Sequence, residues 1–467
     1  MESAPTEYEA LSESQQRNDG NLATGHDVKG LHVPPEVFAE IFIQCLPPIT
    51  FVAPSRTAPP LSVASVNTRW REAALATPRL WQSLAIDART RALLRGLGYA
   101  GFCETWLGRA GGLPVSLSLR ASGVEAANWL TDYIRGSAHL LRELDLQFGS
   151  VRQILSFPPA KYPLLETVSI DTPQDGGILI SFLDAPVLRR VKLSKYTAHV
   201  HLRRQQLTSF RCDSIDVLTF LEFFRDAREL VSGRFVVGYR IGTGWAQTVY
   251  KLPRLRSLVL ETKEDQEYWQ NNTAYLEALG NLRTPALEDL ALIFPRRNER
   301  QPREETISRP FMTFVDQIPF RLNTLTLGFM PVSTPTLILC LRATPELVQL
   351  KLWPTRMVNL REVFASFLEL PLLPRLESLH VVNEAGATNP TPEALVEMLS
   401  WRWDYDSAVG SIDVVRLRSF RMALANSIPN SWVIASIASH PRFAELKAEG
   451  MQLYVGKMKM PVDDLWG

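Results

Sequence analysis

Two imidazoles one residue apart, His199 and His201, would lie on one face of an extended segment, a spacing compatible with a metal ion. No Cys or carboxylate stands beside them, so surface histidines are the expectation. The glycines of GYRIGTG, Gly238, Gly242 and Gly244, lack the GxGxxG spacing that brings backbone N–H groups onto a pyrophosphate, and they read as a turn. Arg296, Arg297, Arg300 and Arg303 concentrate enough charge for a phosphate or an acidic peptide. Asn, Gln, Pro and Glu interrupt them without any aromatic, so an inserted loop is expected. The acidic run from Glu261 to Glu267 reads as solvated. No GxSxG, HExxH or GxxxxGK[ST] pattern occurs, and no Cys has a motif-like setting. The expected chain is therefore not an enzyme and uses neither metal nor cofactor; an unrecognised hydrolase is the weakest alternative.

With 46% hydrophobic and 21% charged residues, the 467-residue chain can build a real core. Its 50 basic and 49 acidic residues leave a formal charge of +1, too little to draw in nucleic acid or an anionic membrane, and neither is an expected partner. Cys45, Cys103, Cys212 and Cys340 are far apart without a CxxC pair, which disfavours zinc modules and disulfide frameworks alike. The opening MESAPTEYEALSESQQRNDG is acidic and polar where a secretory leader needs basic and then apolar residues. No apolar run approaches the roughly 20 residues of a membrane span. A cytoplasmic or nuclear location is expected by elimination.

A tail over 1–30, poor in residues to bury, is expected to stay flexible. A helical module over 31–81 follows. Pro34 and Pro35 suit a helix start, and Val37, Phe38, Ile41, Phe42, Cys45 and Leu46 form an apolar stripe wider than one small core requires. Pro47 and Pro48 stop that helix, and Leu61, Val63 and Val66 make a second short apolar run. Asn67 can cap a third helix carrying Trp70, Ala73 and Ala74, which Thr77-Pro78 ends. Leu80 and Trp81 return a large apolar area to a bundle too small to bury much by itself. A second protein is expected against it.

Beyond Trp81, Leu84 with Ile86, and then Val115, Leu117 and Leu119, alternate as strands, with a helix expected over 89–108. From there a proline followed by apolar residues at plus two, five and seven recurs. Pro163 leads Leu165, Val168 and Ile170; Pro186 leads Leu188, Val191 and Leu193; Pro253 leads Leu255, Leu258 and Leu260. Later copies follow Pro285, Pro345 and Pro374, and Pro441 leads a worn one, Phe443, Leu446 and Ala448. The pattern also stands without proline at Leu141 and Leu322, and weakly at Leu207 and Leu417. Helix-like stretches over 357–370, 392–403 and 430–440 fill gaps. One such unit cannot bury its own apolar face, so neighbours must stack as a curved parallel sheet with helices outside.

Two resemblances follow from these residues. The segment with Pro35-Glu36, Ile41-Phe42, Leu46-Pro47, Leu61, Val63, Val66, Arg69-Trp70-Arg71, Ala76-Thr77-Pro78 and Leu80-Trp81 resembles an F-box of the large fungal families. It departs in having Val33 where leucine is usual and a longer spacer from Pro47 to Pro60. The rest, over 82–456 with a tail at 457–467, resembles the irregular leucine-rich repeats found behind such modules, although no copy shows the asparagine that usually follows LxL. The fold class this implies is α/β, a short three-helix F-box-like module followed by a leucine-rich-repeat-like solenoid. The resemblance implies binding to a Skp-family adaptor, and through it a cullin, by Pro35, Glu36, Val37, Ile41, Phe42, Leu46, Leu61, Val63, Val66, Trp70, Leu80 and Trp81.

Strand alternation would aim positions plus four, six and eight of each copy at the open face, including Asp145, Ser169, Lys192, Lys351, Trp353, His380 and Val382. That surface is expected to hold a protein client, since aromatic anchors dominate interfaces. The function expected is the substrate-recognition subunit of a cullin–RING ubiquitin ligase; a repeat scaffold without a ligase role is the alternative. Asp463, Asp464, Leu465 and Trp466 are expected to dock on the last repeat.

Overall fold

The computed structural model describes residues 33–48, 50–87, 98–121, 131–134, 136–148, 155–156, 160–171, 178–197, 199–238, 248–262, 276, 279–295, 304–317, 321–369, 372–383, 387–405, 414–425 and 428–457. The tail at 1–30, Gly242, Gly244, the Arg296–Arg303 cluster and the terminal Asp463–Trp466 lie outside them. Of the described residues, 33–48 with 55–80 form one compact unit, and 50–54 with 81–457 form a second.

The first unit holds three helices, α1 (Pro35–Gln44), α2 (Leu61–Ala64) and α3 (Thr68–Leu75). Pro34 caps α1 and Pro35 is its first residue, a position whose N–H has no intrahelical acceptor. Asn67 Oδ1 accepts the Trp70 amide at 2.8 Å, as its position before a helical run suggests. Phe38, Phe42 and Trp70 then converge, with Phe42 and Trp70 centroids 5.1 Å apart. The flanking arginines lock this wedge: Arg69 donates to the Val33 carbonyl at 2.6 Å and covers the Phe38 ring, while Arg71 donates to the Ala64 carbonyl at 3.0 Å.

The second unit is mixed α/β around one 14-stranded, wholly parallel sheet whose spatial order follows the chain. Its strands are β1 (Ser83–Ile86), β2 (Val115–Ala121), β3 (Leu141–Phe148), β4 (Thr167–Asp171) and β5 (Arg190–Leu193). There follow β6 (Ser209–Asp216), β7 (Ser232–Gly238), β8 (Ser257–Thr262), β9 (Asp289–Ile293) and β10 (Thr324–Gly328). β11 (Gln349–Trp353), β12 (Ser378–Asn383), β13 (Ser419–Leu424) and β14 (Gln452–Lys457) complete it. Each LxxLxL copy contributes one strand, with both Leu positions of LxL and the preceding Leu buried, as in Leu347, Leu350 and Leu352. In-register neighbours pair like with like, Leu325 with Leu350 with Leu379, so the apolar residues stack into continuous rows.

Helices α4 (Gly98–Gly108), α5 (Val217–Asp226), α6 (Glu304–Val315), α7 (Thr334–Arg342), α8 (Leu360–Glu369), α9 (Pro392–Asp404), α10 (Ile428–Ala438) and α11 (Pro441–Ala448) connect strands, and α6 through α10 pack each on the next. Asp216 caps α5 by accepting from the Thr219 amide and hydroxyl. From α5, Phe220, Phe223 and Phe224 pack onto Phe210 of β6 and Phe235 of β7.

Four features depart from the sequence expectations. β7 has no LxxLxL signature because Gly233 stands at the first LxL position. A Cβ there would meet the Phe235 ring at 2.7 Å, so the phenylalanine fills the space beside Gly233, whose register partners on the neighbouring strands are Phe210 and Leu258. The worn copy after Pro441 is helix α11, not a strand. PRFAELKA has Pro at the first helical turn and good helix formers behind it, and Phe443 and Leu446 bury at helical spacing. Trp81 belongs to the sheet unit rather than to the helical one: its ring meets Trp106 edge-on at 4.9 Å, and Arg109 covers it. The spacer joins β1 too, since the Val52 carbonyl accepts the Ala85 amide and the Thr50 carbonyl accepts the Ser83 hydroxyl. Finally, one asparagine does tie a turn. Buried Asn383, two residues after Val381, accepts the Ala387 amide at 2.9 Å and donates to the Ala387 carbonyl at 2.7 Å.

Candidate binding surfaces

Two surfaces, one in each unit, concentrate side chains without internal duties. On α1 the apolar stripe splits into two faces. Phe38 and Phe42 point to Trp70, whereas Val37 and Ile41, one turn apart, remain 46% and 47% exposed. Exposed Cys45 continues that line a further turn, and Glu36, Glu40 and Gln44 flank it, giving a shallow groove with an apolar floor. Val66 and Leu75 add exposed apolar area elsewhere in the unit.

The residues expected to touch an adaptor therefore divide by burial. Pro35, Glu36, Val37, Ile41 and Val66 are exposed, and Leu46, Leu61 and Trp70 are half-buried. Phe42, Val63 and Leu80 are buried in the helical unit and Trp81 in the sheet unit, so none of them has a face to offer. Periodicity could not separate the sets, because adjacent pairs, Val37-Phe38 and Ile41-Phe42 on the helix and Cys45-Leu46 at its end, make a stripe wide enough to hold both a packed and an exposed face.

On the sheet, in-register positions form lateral rows. One runs Ser118, Asp145, Ser169, Lys192 from β2 to β5, then Arg211 and Arg234. Early in this face several charges have partners: Ser118 donates to Asp145 at 2.9 Å, Arg190 lies 3.9 Å from Glu143, and Arg234 lies 2.6 Å from Glu261, while among the described residues Lys192 pairs with no carboxylate. Glu261 is thus held in a pair rather than simply solvated. Later in the same row stand Lys351, His380 and Arg421 on β11, β12 and β13. With Gln349, Ser378 and Ser419 from the adjacent row they line a cavity of about 340 Å³. Burial, followed by the charges of Arg421 and Lys351, lowers the His380 pKa to about 4, so the imidazole is neutral near pH 7.

Trp353 and Val382 correct the expected open face, since both are fully buried. Alternation holds through Leu352 and Val381 but fails at the strand ends. Trp353 pairs in register with Gly328 and packs its ring 5.9 Å from His380. It packs behind His380 rather than lining the cleft. Arg421 was hidden in the sequence by the weak copy around it; its signal is its place between Phe420 and Met422, the position His380 holds between Leu379 and Val381.

His199 and His201 are both exposed, and among the described residues no three His, Cys, Asp or Glu side chains converge as metal ligands. No described helix is long and apolar enough to cross a membrane. Neither a protein-family model nor a curated protein matches the chain.

Proposed function

We propose that the chain is a non-catalytic substrate receptor of a cullin–RING ubiquitin ligase, with an F-box-like helical unit that holds a Skp-family adaptor and repeats that hold a protein client. The observation that carries this reading is the line Val37, Ile41 and Cys45, exposed among the described residues, on a helix whose adjoining face packs Phe38 and Phe42 against Trp70. A helix that is apolar on two sides and packed on one retains a face for another protein. The parallel sheet supports the second half of the reading, because stacked strands present side chains along an extended surface suited to a polypeptide.

The mechanism is proximity. Holding adaptor and client on one chain raises the effective concentration of a client lysine near the charged conjugating enzyme, with no catalytic group supplied here. Co-purification of the full chain with a Skp-family adaptor tests it. Val37→Asp with Ile41→Asp should abolish capture while leaving the thermal transition in place, because both side chains are already about half in water. Equal capture by parent and variant refutes the assignment.

A further inference from the structure

The two edges of the long sheet are finished differently. Along β1 the chain lays its own spacer: the Ala85 amide donates to the Val52 carbonyl at 2.8 Å, the Val52 amide donates to the Ser83 hydroxyl oxygen at 2.9 Å, and Leu84 and Ile86 are fully buried. β14 stands at the opposite edge. Its Gln452 amide donates to the Arg418 carbonyl at 2.9 Å, so Gln452, Tyr454 and Gly456 bond toward β13 and, by alternation, the amides of Leu453, Val455 and Lys457 point outward. Among the described residues no strand receives them. Leu453 and Val455 are half-buried, although their register partners Phe420 and Met422 on β13 are fully enclosed. An edge with outward amides and part-exposed apolar side chains is a template for one more strand.

We infer that the chain supplies this strand from the residues that follow β14: 458–462 turn, and 463–467 return antiparallel along its outer edge. A five-residue loop is within the usual range for a hairpin, and Pro461, which has no N–H to give a ladder, suits it. That register sets Asp463 opposite Lys457, Leu465 opposite Val455 and Trp466 opposite Tyr454. These are an opposite-charge, an aliphatic and an aromatic pair, each favourable across antiparallel strands. Shortening the loop by one or two residues would set Asp464 or Asp463 against Val455 instead. In the favoured register Leu465 lies on the core side with Val455, and Trp466 lies beside the exposed Tyr454 on the other. An antiparallel edge strand on an otherwise parallel sheet is a common finish. Magnitude decides against a second copy as the occupant: a segment tethered at the strand's own end has an effective concentration on the order of millimolar, about a thousandfold above a partner at micromolar concentration. The device matches the one at β1, and it withdraws the edge from pairing with other chains.

Amide hydrogen exchange, resolved to single residues, tests the pairing on the full chain and on a chain shortened to end at Lys457. The Leu453 and Val455 amides should exchange at least about tenfold more slowly in the full chain, the sum of three modest cross-strand pairs. Asp463→Lys, which sets like charges opposite each other, should remove most of that slowing, and Lys457→Asp combined with Asp463→Lys should restore it. Unchanged exchange across β12, at residues 378–383, shows that the sheet remains folded in every variant. Equal exchange of Leu453 and Val455 in the full and shortened chains overturns the inference. Slowing that grows with protein concentration also overturns it, because the edge would then belong to a second copy. Slowing that persists undiminished in Asp463→Lys overturns it as well, since Asp463 would not stand opposite Lys457.

Discussion

Adjacent residues on α1, Ile41 and Phe42, should respond to truncation in opposite ways. Phe42 is fully buried against Phe38 and Trp70, so Phe42→Ala should remove about 3–5 kcal/mol from the helical unit. For a unit this small, that is most of its stability. Ile41 is 47% exposed. Complete burial of an isoleucine contributes about 1.5–3 kcal/mol, so the uncovered half leaves about 1 kcal/mol for a partner, roughly a fivefold change in Kd. Ile41→Ala should leave the fold within about 1 kcal/mol, since alanine also favours the helix. Hydrogen exchange over residues 35–44 reads stability, and titration with a Skp-family adaptor reads affinity. Fast exchange in Phe42→Ala with near-native exchange and weakened binding in Ile41→Ala is expected. Equal losses of exchange protection in both variants, or no loss in Phe42→Ala, would refute the two-faced reading of α1.

Cys103, Cys212 and Cys340 are buried, and burial pushes their pKa values up to about 12, whereas Cys45 is exposed in the α1 groove. A maleimide at neutral pH should label Cys45 first in the native chain, and bound adaptor should protect it, as mass spectrometry of peptides would show. Arg402 is fully buried, with guanidinium donors on the carbonyls of Leu372, Leu373, Leu376 and Val415. Arg402→Met should cost about 3 kcal/mol or more in denaturant unfolding, because several carbonyls lose their donor at about 1–3 kcal/mol each. His380 has a folded pKa of about 4, below its ordinary 6.5, so its contribution to stability is present above pH 6.5 and is lost as the pH falls toward 4. His380→Gln should flatten that part of the stability–pH curve, and since the imidazole is only partly buried the change should be small.

The succession of parallel strands is legible in the sequence because burial on a strand has a period of two. Leu165, Val168 and Ile170, like Leu347, Leu350 and Leu352, each carry enough apolar area to dictate their own local geometry. Asn67 at the start of α3 is legible for a similar reason, since a cap acts within one turn. What needed tertiary structure were the choices made by neighbours far along the chain. Gly233 serves as a core position only because Phe235 covers it, and Trp353 is buried where its strand meets Gly328. Trp81 leaves the helices for Trp106, and α1 shows Val37 and Ile41 to solvent only because Trp70 has claimed Phe38 and Phe42. The meeting of Lys351, His380 and Arg421 likewise depends on sheet register, which sets residues about 30 and 40 positions apart some 5 Å from one another. Local period determines which residues seek burial; only the packed partners decide which of them obtain it, and which charges are left without an opposite.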